Sequence, residues 1–198
     1  GRWYPRGMQE DVRFVNPRGQ QLAAVVHVPP GWERDGPAAG VCHGMLSCKD
    51  SPKHVRIASE LASRGLLALR LDFAGRGESQ GTLEQLTLSG QVQDLGAAVH
   101  LLRQRGARGV SLVGSSLGGA TVVLHAGLHG QVASLAVLAS VSRPGALFES
   151  ALSSEQLEHW RRSGRLPTRQ GPLGFAFIED ARRQDVLDAA RRIRCPAL

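Results

Sequence analysis

Short apolar runs alternate with helix-period segments between residues 38 and 141, and this alternation constrains the fold more than any other feature of the chain. Segments 38–43, 66–72, 110–114 and 134–141 are brief and almost continuously apolar, as strands buried on both faces must be. Between them, Val55, Ala58, Leu61 and Ala62 recur at helical spacing within 52–64, with Ser51 placed to cap, Pro52 in the first turn and Gly65 at the end. Val92, Leu95, Val99 and Leu102 mark a second helix, and 117–128 a third. Strands joined by crossover helices imply an α/β fold: a mainly parallel sheet with helices on both faces. Segments 12–15 and 21–28 flank the turn sequence Asn16-Pro17-Arg18-Gly19, so a hairpin is expected at the antiparallel edge of that sheet.

The rhythm breaks after Val141. Residues 142–174 contain Pro144, Trp160, Pro167 and Pro172, with a helix expected at 154–162. Such a stretch is too long for an ordinary connection and is expected to form a cap over an active site. Its Phe148, Trp160, Phe175 and Phe177 are expected to supply apolar walls. A single helix over 179–192 then returns to the core, with Asp180, Asp185 and Asp188 on its solvated side. Ile193-Arg194-Cys195-Pro196-Ala197-Leu198 opens a further strand. The expected organisation is a core over 1–142, a cap over 143–178 and an incomplete return to the core over 179–198. Because the chain stops inside an apolar strand, the last strands of the sheet are expected to be missing and the chain to be a fragment.

The chemistry concentrates at Val110-Ser111-Leu112-Val113-Gly114-Ser115-Ser116-Leu117-Gly118-Gly119. Gly114, Ser116 and Gly118 form Gly-x-Ser-x-Gly between an apolar strand and a helical pattern. In that setting the serine sits on a sharp turn that lifts its hydroxyl out of the sheet, and the small neighbours relieve the crowding. The helix that follows points its positive end at the place where negative charge develops. Ser116 is therefore the candidate nucleophile. Acyl transfer also needs backbone donors for a tetrahedral oxyanion. Leu117, directly after the nucleophile, is one candidate, and Met45, in His43-Gly44-Met45 after an early strand, is the other. His43 precedes the serine in the chain and is expected to shape the loop beside Gly44 rather than act as the base.

The chain resembles the bacterial α/β-hydrolases of the serine aminopeptidase S33 and cinnamoyl-esterase-like group. The matching residues are Cys42-His43-Gly44-Met45, Arg70-Leu71-Asp72-Phe73-Ala74-Gly75-Arg76-Gly77-Glu78-Ser79 and Gly114-Ser115-Ser116-Leu117-Gly118-Gly119. The resemblance covers roughly 10–142 and returns weakly at 193–198. It implies a serine hydrolase acting on carboxylic esters through an acyl-enzyme intermediate, with Asp72 and Arg76 structural. Ser115 stands where many relatives have histidine. The resemblance also implies a triad acid after the strand at Cys195 and a triad histidine one strand later, both beyond residue 198. A peptidase, amidase or thioesterase of the same fold shares the same chemistry, and a catalytically incomplete binding module is the non-enzymatic alternative.

No cofactor is expected. His125 and His129 are spaced like metal ligands on one helix face, but no third ligand suggests itself. Net charge is +7, and residues 161–198 hold nine arginines against four acids. No aromatic residues are interleaved among them in a nucleic-acid-binding pattern, so a solvated helical face is expected and nucleic acid is not. Three cysteines with no leader pattern argue against a disulfide framework, and no apolar run is long enough to span a membrane. The expected partner is a small ester or related acyl substrate, in a cytoplasmic protein for which a homo-oligomer stays open.

Overall fold

Asn16 and Gly19 make the first turn. The Asn16 Oδ1 accepts the Arg18 and Gln20 amides, and Gly19 takes φ +78°, folding β1 (Met8–Val15) antiparallel onto β2 (Gln21–Val28). The structure is a computed structural model and describes residues 8–198; residues 1–7, read above for a leader pattern, lie outside the described residues. Four further strands follow: β3 (Pro37–Cys42), β4 (Leu67–Leu71), β5 (Gly109–Ser115) and β6 (Leu135–Leu138). The sheet order is β1-β2-β4-β3-β5-β6. β1 and β2 form the antiparallel edge, and the pairs β4/β3, β3/β5 and β5/β6 are parallel. Beyond β6, Leu198 N–H donates to the Leu135 carbonyl and Val137 N–H to the Leu198 carbonyl, so the expected strand at 193–198 begins as a parallel neighbour of β6.

The crossovers are α1 (Pro52–Ser63), α2 (Leu88–Gln104) and α3 (Leu117–His129). Leu67, Leu69 and Leu71 of β4 and Leu112 of β5 are buried with Leu95, Ala98 and Leu102 of α2, forming the main core between sheet and helix. Ser51 occupies the N-cap position of α1, yet its hydroxyl makes no capping bond; it turns instead to His54. The expected cap is therefore geometric only.

After β6 come α4 (Pro144–Ala151), α5 (Ser154–Ser163), the two-stranded ribbon β7 (Arg165–Leu166) and β8 (Leu173–Gly174), then α6 (Ala176–Arg183) and α7 (Val186–Arg192). The single helix expected over 179–192 is thus two. Ile178, Ala181, Val186 and Ala189 keep the spacing of one helix face, so the apolar pattern runs through the break. Extended backbone at Gln184 ends α6, and the Asp185 carboxylate caps α7 by accepting the Asp188 amide at 2.8 Å. α7 lies so close to α3 that a Cβ on Gly127 would fall 2.3 Å from the Ala189 carbonyl oxygen. Asp180 is not solvated as expected. It accepts the Ser89 N–H at 2.8 Å and the Ser89 hydroxyl at 2.5 Å, tying α6 to the first turn of α2.

A second core joins this region to the sheet. Trp160, Leu173 and Phe177, all fully buried, pack with Leu117, Ala120, Val123 and Leu124 of α3. The Trp160 indole N–H donates to the Leu173 carbonyl at 3.0 Å. Phe177 meets Phe148 edge-on, and Trp160 meets Phe175 edge-on. Trp160 and Phe177 are therefore interior residues rather than the expected pocket walls. The arginines of the C-terminal third lie outside, several in surface pairs such as Arg161–Glu158, Arg165–Glu84 and Arg182–Glu149.

Candidate active site

β5 ends at Ser115 and α3 begins at Leu117, so the chain must reverse within one residue. Ser116 makes that reversal at φ +54° and ψ −123°, a backbone conformation that L-residues rarely adopt. The bend is held from both sides. Ser116 N–H donates to the Leu138 carbonyl at the end of β6, and the Ser116 carbonyl accepts the Gly119 amide at 2.9 Å, opening α3. Ser115 and Leu117 are buried while Ser116 is exposed. The strain is spent on presenting one hydroxyl.

The flanking glycines are present because there is no room for a side chain. A Cβ on Gly114 would lie 2.3 Å from the Gly118 carbonyl oxygen, and one on Gly118 would lie 2.4 Å from the His43 carbonyl oxygen. Gly44 packs against the bend itself, its Cβ position being 3.2 Å from Ser116 Cβ and 3.7 Å from Ser116 Oγ. The loop after β3 and the start of α3 are thus in backbone contact. Met45 follows Gly44 on that loop, and among the described residues neither the Met45 N–H nor the Leu117 N–H has an acceptor. Leu117 opens α3 directly after the exposed Ser116, and Met45 directly follows the Gly44 that abuts it.

His43 is buried and held at both nitrogens. Its Nδ1 lies 2.7 Å from the Gly44 carbonyl, and its Nε2 accepts the Phe73 amide at 3.2 Å. An Nδ1–H, Nε2-acceptor tautomer satisfies both contacts. Burial holds its pKa at about 4, against the opposing pull of the Gly44 carbonyl and Asp72. A neutral ring pinned in this way bridges the Gly44 carbonyl and the Phe73 amide and has no nitrogen left for Ser116. Asp72 is fully buried beneath the loop, accepting the Lys49 amide at 2.6 Å and the Glu78 amide at 3.0 Å. Arg76 donates to the Ser47 carbonyl and pairs with the side chain of Gln170, and Gln170 in turn donates to the Leu46 carbonyl. Through these contacts both residues hold together the loops around Ser116.

Among the described residues, no histidine hydrogen-bonds the Ser116 hydroxyl. The His125 and His129 rings lie 4.8 Å apart on α3, tilted 51° to each other, with His125 buried and its Nδ1 unpartnered among the described residues. No group of three or more His, Cys, Asp or Glu among the described residues is placed to hold a metal ion, and none of the described helices is long and apolar enough to cross a membrane.

Two contributors escaped the sequence reading. His54 lies directly behind Ser115. Its signal was its spacing, since His54, Ala58 and Ala62 form the buried stripe of α1. Gln170 reaches the loop after β3 from more than a hundred residues away, a contact no local pattern signals.

Solved structures with the same architecture include ferulic-acid-bound Est1E from Butyrivibrio proteoclasticus, at 20% identity over 94% of this chain and 76% of that one, with a TM-score of 0.83. A hydrolase from Agrobacterium vitis S4 gives 21% identity over 89% and 72%, with a TM-score of 0.79. An esterase from Pyrococcus furiosus gives 16% identity over 96% and 69%, with a TM-score of 0.68. At these identities the likeness is one of fold. A search of curated protein sequences found no match. A family model described as serine aminopeptidase, S33, matches residues 38–192, a span that includes β3, the Ser116 bend and the segment after β6. The chain is a member of the serine aminopeptidase S33 family of hydrolases, with the α/β-hydrolase fold.

Proposed function

We propose that the protein is a serine hydrolase that cleaves carboxylic esters through an acyl-enzyme, with Ser116 as the nucleophile. The observation that carries this reading is exposed Ser116 on a strained bend, followed by the unpaired Leu117 amide and packed against Gly44, whose neighbour Met45 also has an unpaired amide. In this reading Ser116 Oγ attacks the ester carbonyl carbon. The carbonyl oxygen becomes an oxyanion, which the amides of Met45 and Leu117 stabilise at the positive end of α3. The serine proton passes to a histidine oriented by a carboxylate, both of which follow the nucleophile in the chain order of this fold. Collapse expels the alcohol and leaves an acyl group on Ser116, which water then removes. The segment 143–178 acts as the cap, and the Gln170 and Arg76 contacts dock it onto the loop that carries Met45.

Esterase names among the structural neighbours favour an ester over an amide or thioester. The substrate is accordingly a small acyl ester, in a cytoplasmic setting. In the full-length protein, Ser116→Ala is expected to abolish turnover of a short p-nitrophenyl ester while leaving the melting temperature near that of the parent. Undiminished turnover by that variant would rule out Ser116 as the nucleophile. A matched panel of ester, anilide and thioester substrates separates the three reaction classes.

A further inference from the structure

A buried histidine sits one residue behind the proposed nucleophile and takes no part in the chemistry above. His54 is 2% exposed, in the first turn of α1. Its Nδ1 lies 2.5 Å from Ser51 Oγ, and its Nε2 lies 3.2 Å from Ser115 Oγ. The turn before α1 is closed by the Ser51 amide, which donates to the Cys48 carbonyl at 3.2 Å. One imidazole thus connects two segments. On one side is the loop from Gly44 to Ser51, which carries Met45. On the other is the Ser115–Ser116 peptide, which carries the bend.

Two features mark this contact as more than packing. Ser51 holds the N-cap position, where a serine hydroxyl ordinarily accepts an amide of the first turn, yet its hydroxyl is diverted to His54. Ser115 is 3% exposed, and among the described residues its hydroxyl has no partner besides His54. Both hydroxyls therefore depend on this ring. Where the loop meets the bend at Gly44 and the start of α3 at Gly118, the residues are glycines and bring no side chain of their own to the contact.

We infer that His54 is a positioning residue: through Ser51 and Ser115 it fixes the Met45 loop and the Ser116 bend in register, so that the two amide donors and the hydroxyl converge on one carbonyl. The role rests on the hydrolase reading above. It follows from geometry, because oxyanion donors act only when they are aimed at the place the charge will occupy, and a displacement of about 1 Å costs on the order of 100-fold in rate. Burial lowers the His54 pKa, with Lys53 adding to the effect, which suits a neutral ring that donates at one nitrogen and accepts at the other.

The test pairs kinetics with amide hydrogen exchange on the whole protein. His54→Leu and Ser115→Ala are each expected to lower kcat for a p-nitrophenyl ester at least about tenfold with KM unchanged, and the double variant to be no worse than the poorer single one. His54→Gln, which keeps a donor and an acceptor, should recover part of the loss. Exchange of the Ser47 and Ser116 amides, which close the loop turn and anchor the bend, should quicken about tenfold in His54→Leu. It should stay at the parent rate in Ala62→Gly, a change elsewhere on the buried stripe of α1. If kcat holds and both amides exchange at the parent rate in His54→Leu, the positioning role is overturned. Loss of kcat that is additive across the double variant, or equally fast exchange in Ala62→Gly, overturns it too by reducing His54 to a packing residue. The exchange arm needs no turnover. An active Ser116→Ala would therefore remove the hydrolase reading while the link between loop and bend was still judged on its own.

Discussion

Gly118→Ala tests the packing of the bend most directly. A Cβ built at 118 falls 2.4 Å from the His43 carbonyl oxygen and 2.7 Å from that of Cys42. Carbon–oxygen contacts settle near 3.3 Å, so α3 must withdraw from the end of β3 by about 0.9 Å. Both obstacles are backbone atoms, at the last residue of the central strand β3 and the one after it, and cannot swing aside as a side chain could. Overpacking of this kind costs about 1–3 kcal/mol, and the immobility of the neighbours places this case in the upper half of that range. In a chain of this size each kcal/mol moves Tm by about 2–4 °C, so the expected fall is roughly 5–10 °C. Gly96→Ala supplies the opposite sign. Gly96 lies inside α2, and its Cβ would meet only His125 Cε1 at 3.7 Å, an ordinary contact. Relief of glycine's helix penalty then stabilises by about 0.8–1 kcal/mol and raises Tm by about 2–4 °C. Circular-dichroism melts of parent and both variants in one buffer decide the matter. If Gly118→Ala melts within about 1 °C of the parent, or if both variants shift the same way, the close approach of β3 and α3 does not govern stability. The same withdrawal parts the amides of Met45 and Leu117, so Gly118→Ala should also lower kcat, by on the order of 100-fold.

Acid should destabilise the protein through its buried histidines. Burial holds His27, His43 and His125 at about 4, with Arg70 adding to the effect at His27 and His129 at His125. Their ordinary value is 6.5, so between the two the unfolded chain binds more protons than the native one. The stabilisation is fully present above pH 6.5 and is lost as pH falls towards 4, each ring contributing up to about 3 kcal/mol. Urea midpoints measured from pH 8 to pH 4 should decline steeply through that window, and a flat profile would contradict the buried neutral rings. Trp160→Phe removes the indole donor to the Leu173 carbonyl and should cost about 1–3 kcal/mol, whereas Trp160→Ala should cost about 3–5 kcal/mol. Equal urea midpoints for the two variants would show that the packed ring contributes nothing beyond its hydrogen bond.

The parallel sheet was legible because its strands are short and mostly apolar, with β4 buried throughout. Runs such as 66–72 and 110–114 carry no polar alternation, and the helices between them keep a clear apolar stripe. The bend at Ser116 was legible because its sterics demand small residues at fixed offsets. Where side chains serve the backbone of another element, sequence spacing carried little information. Asp180 resembled a solvated acid on a helix, and only its docking on Ser89 shows otherwise. Trp160 and Phe177 resembled pocket walls because a large aromatic in a variable segment carries no mark of which way it faces. The break at Gln184 left no mark in the apolar spacing, because Ile178, Ala181, Val186 and Ala189 fall where one continuous helix would also bury them.

The second core gives the segment after β6 a particular standing. Trp160, Leu173 and Phe177 share one buried cluster with Leu117, Ala120, Val123 and Leu124, so the region read as a cap is continuous with the helix that starts at the nucleophile. A chimera that replaced 143–178 with the corresponding stretch of a relative would strip the inner side of α3 as well as change what enters the site. Any such graft has to import the matching faces of both partners, and selectivity in this protein cannot be redesigned independently of the platform on which Ser116 stands.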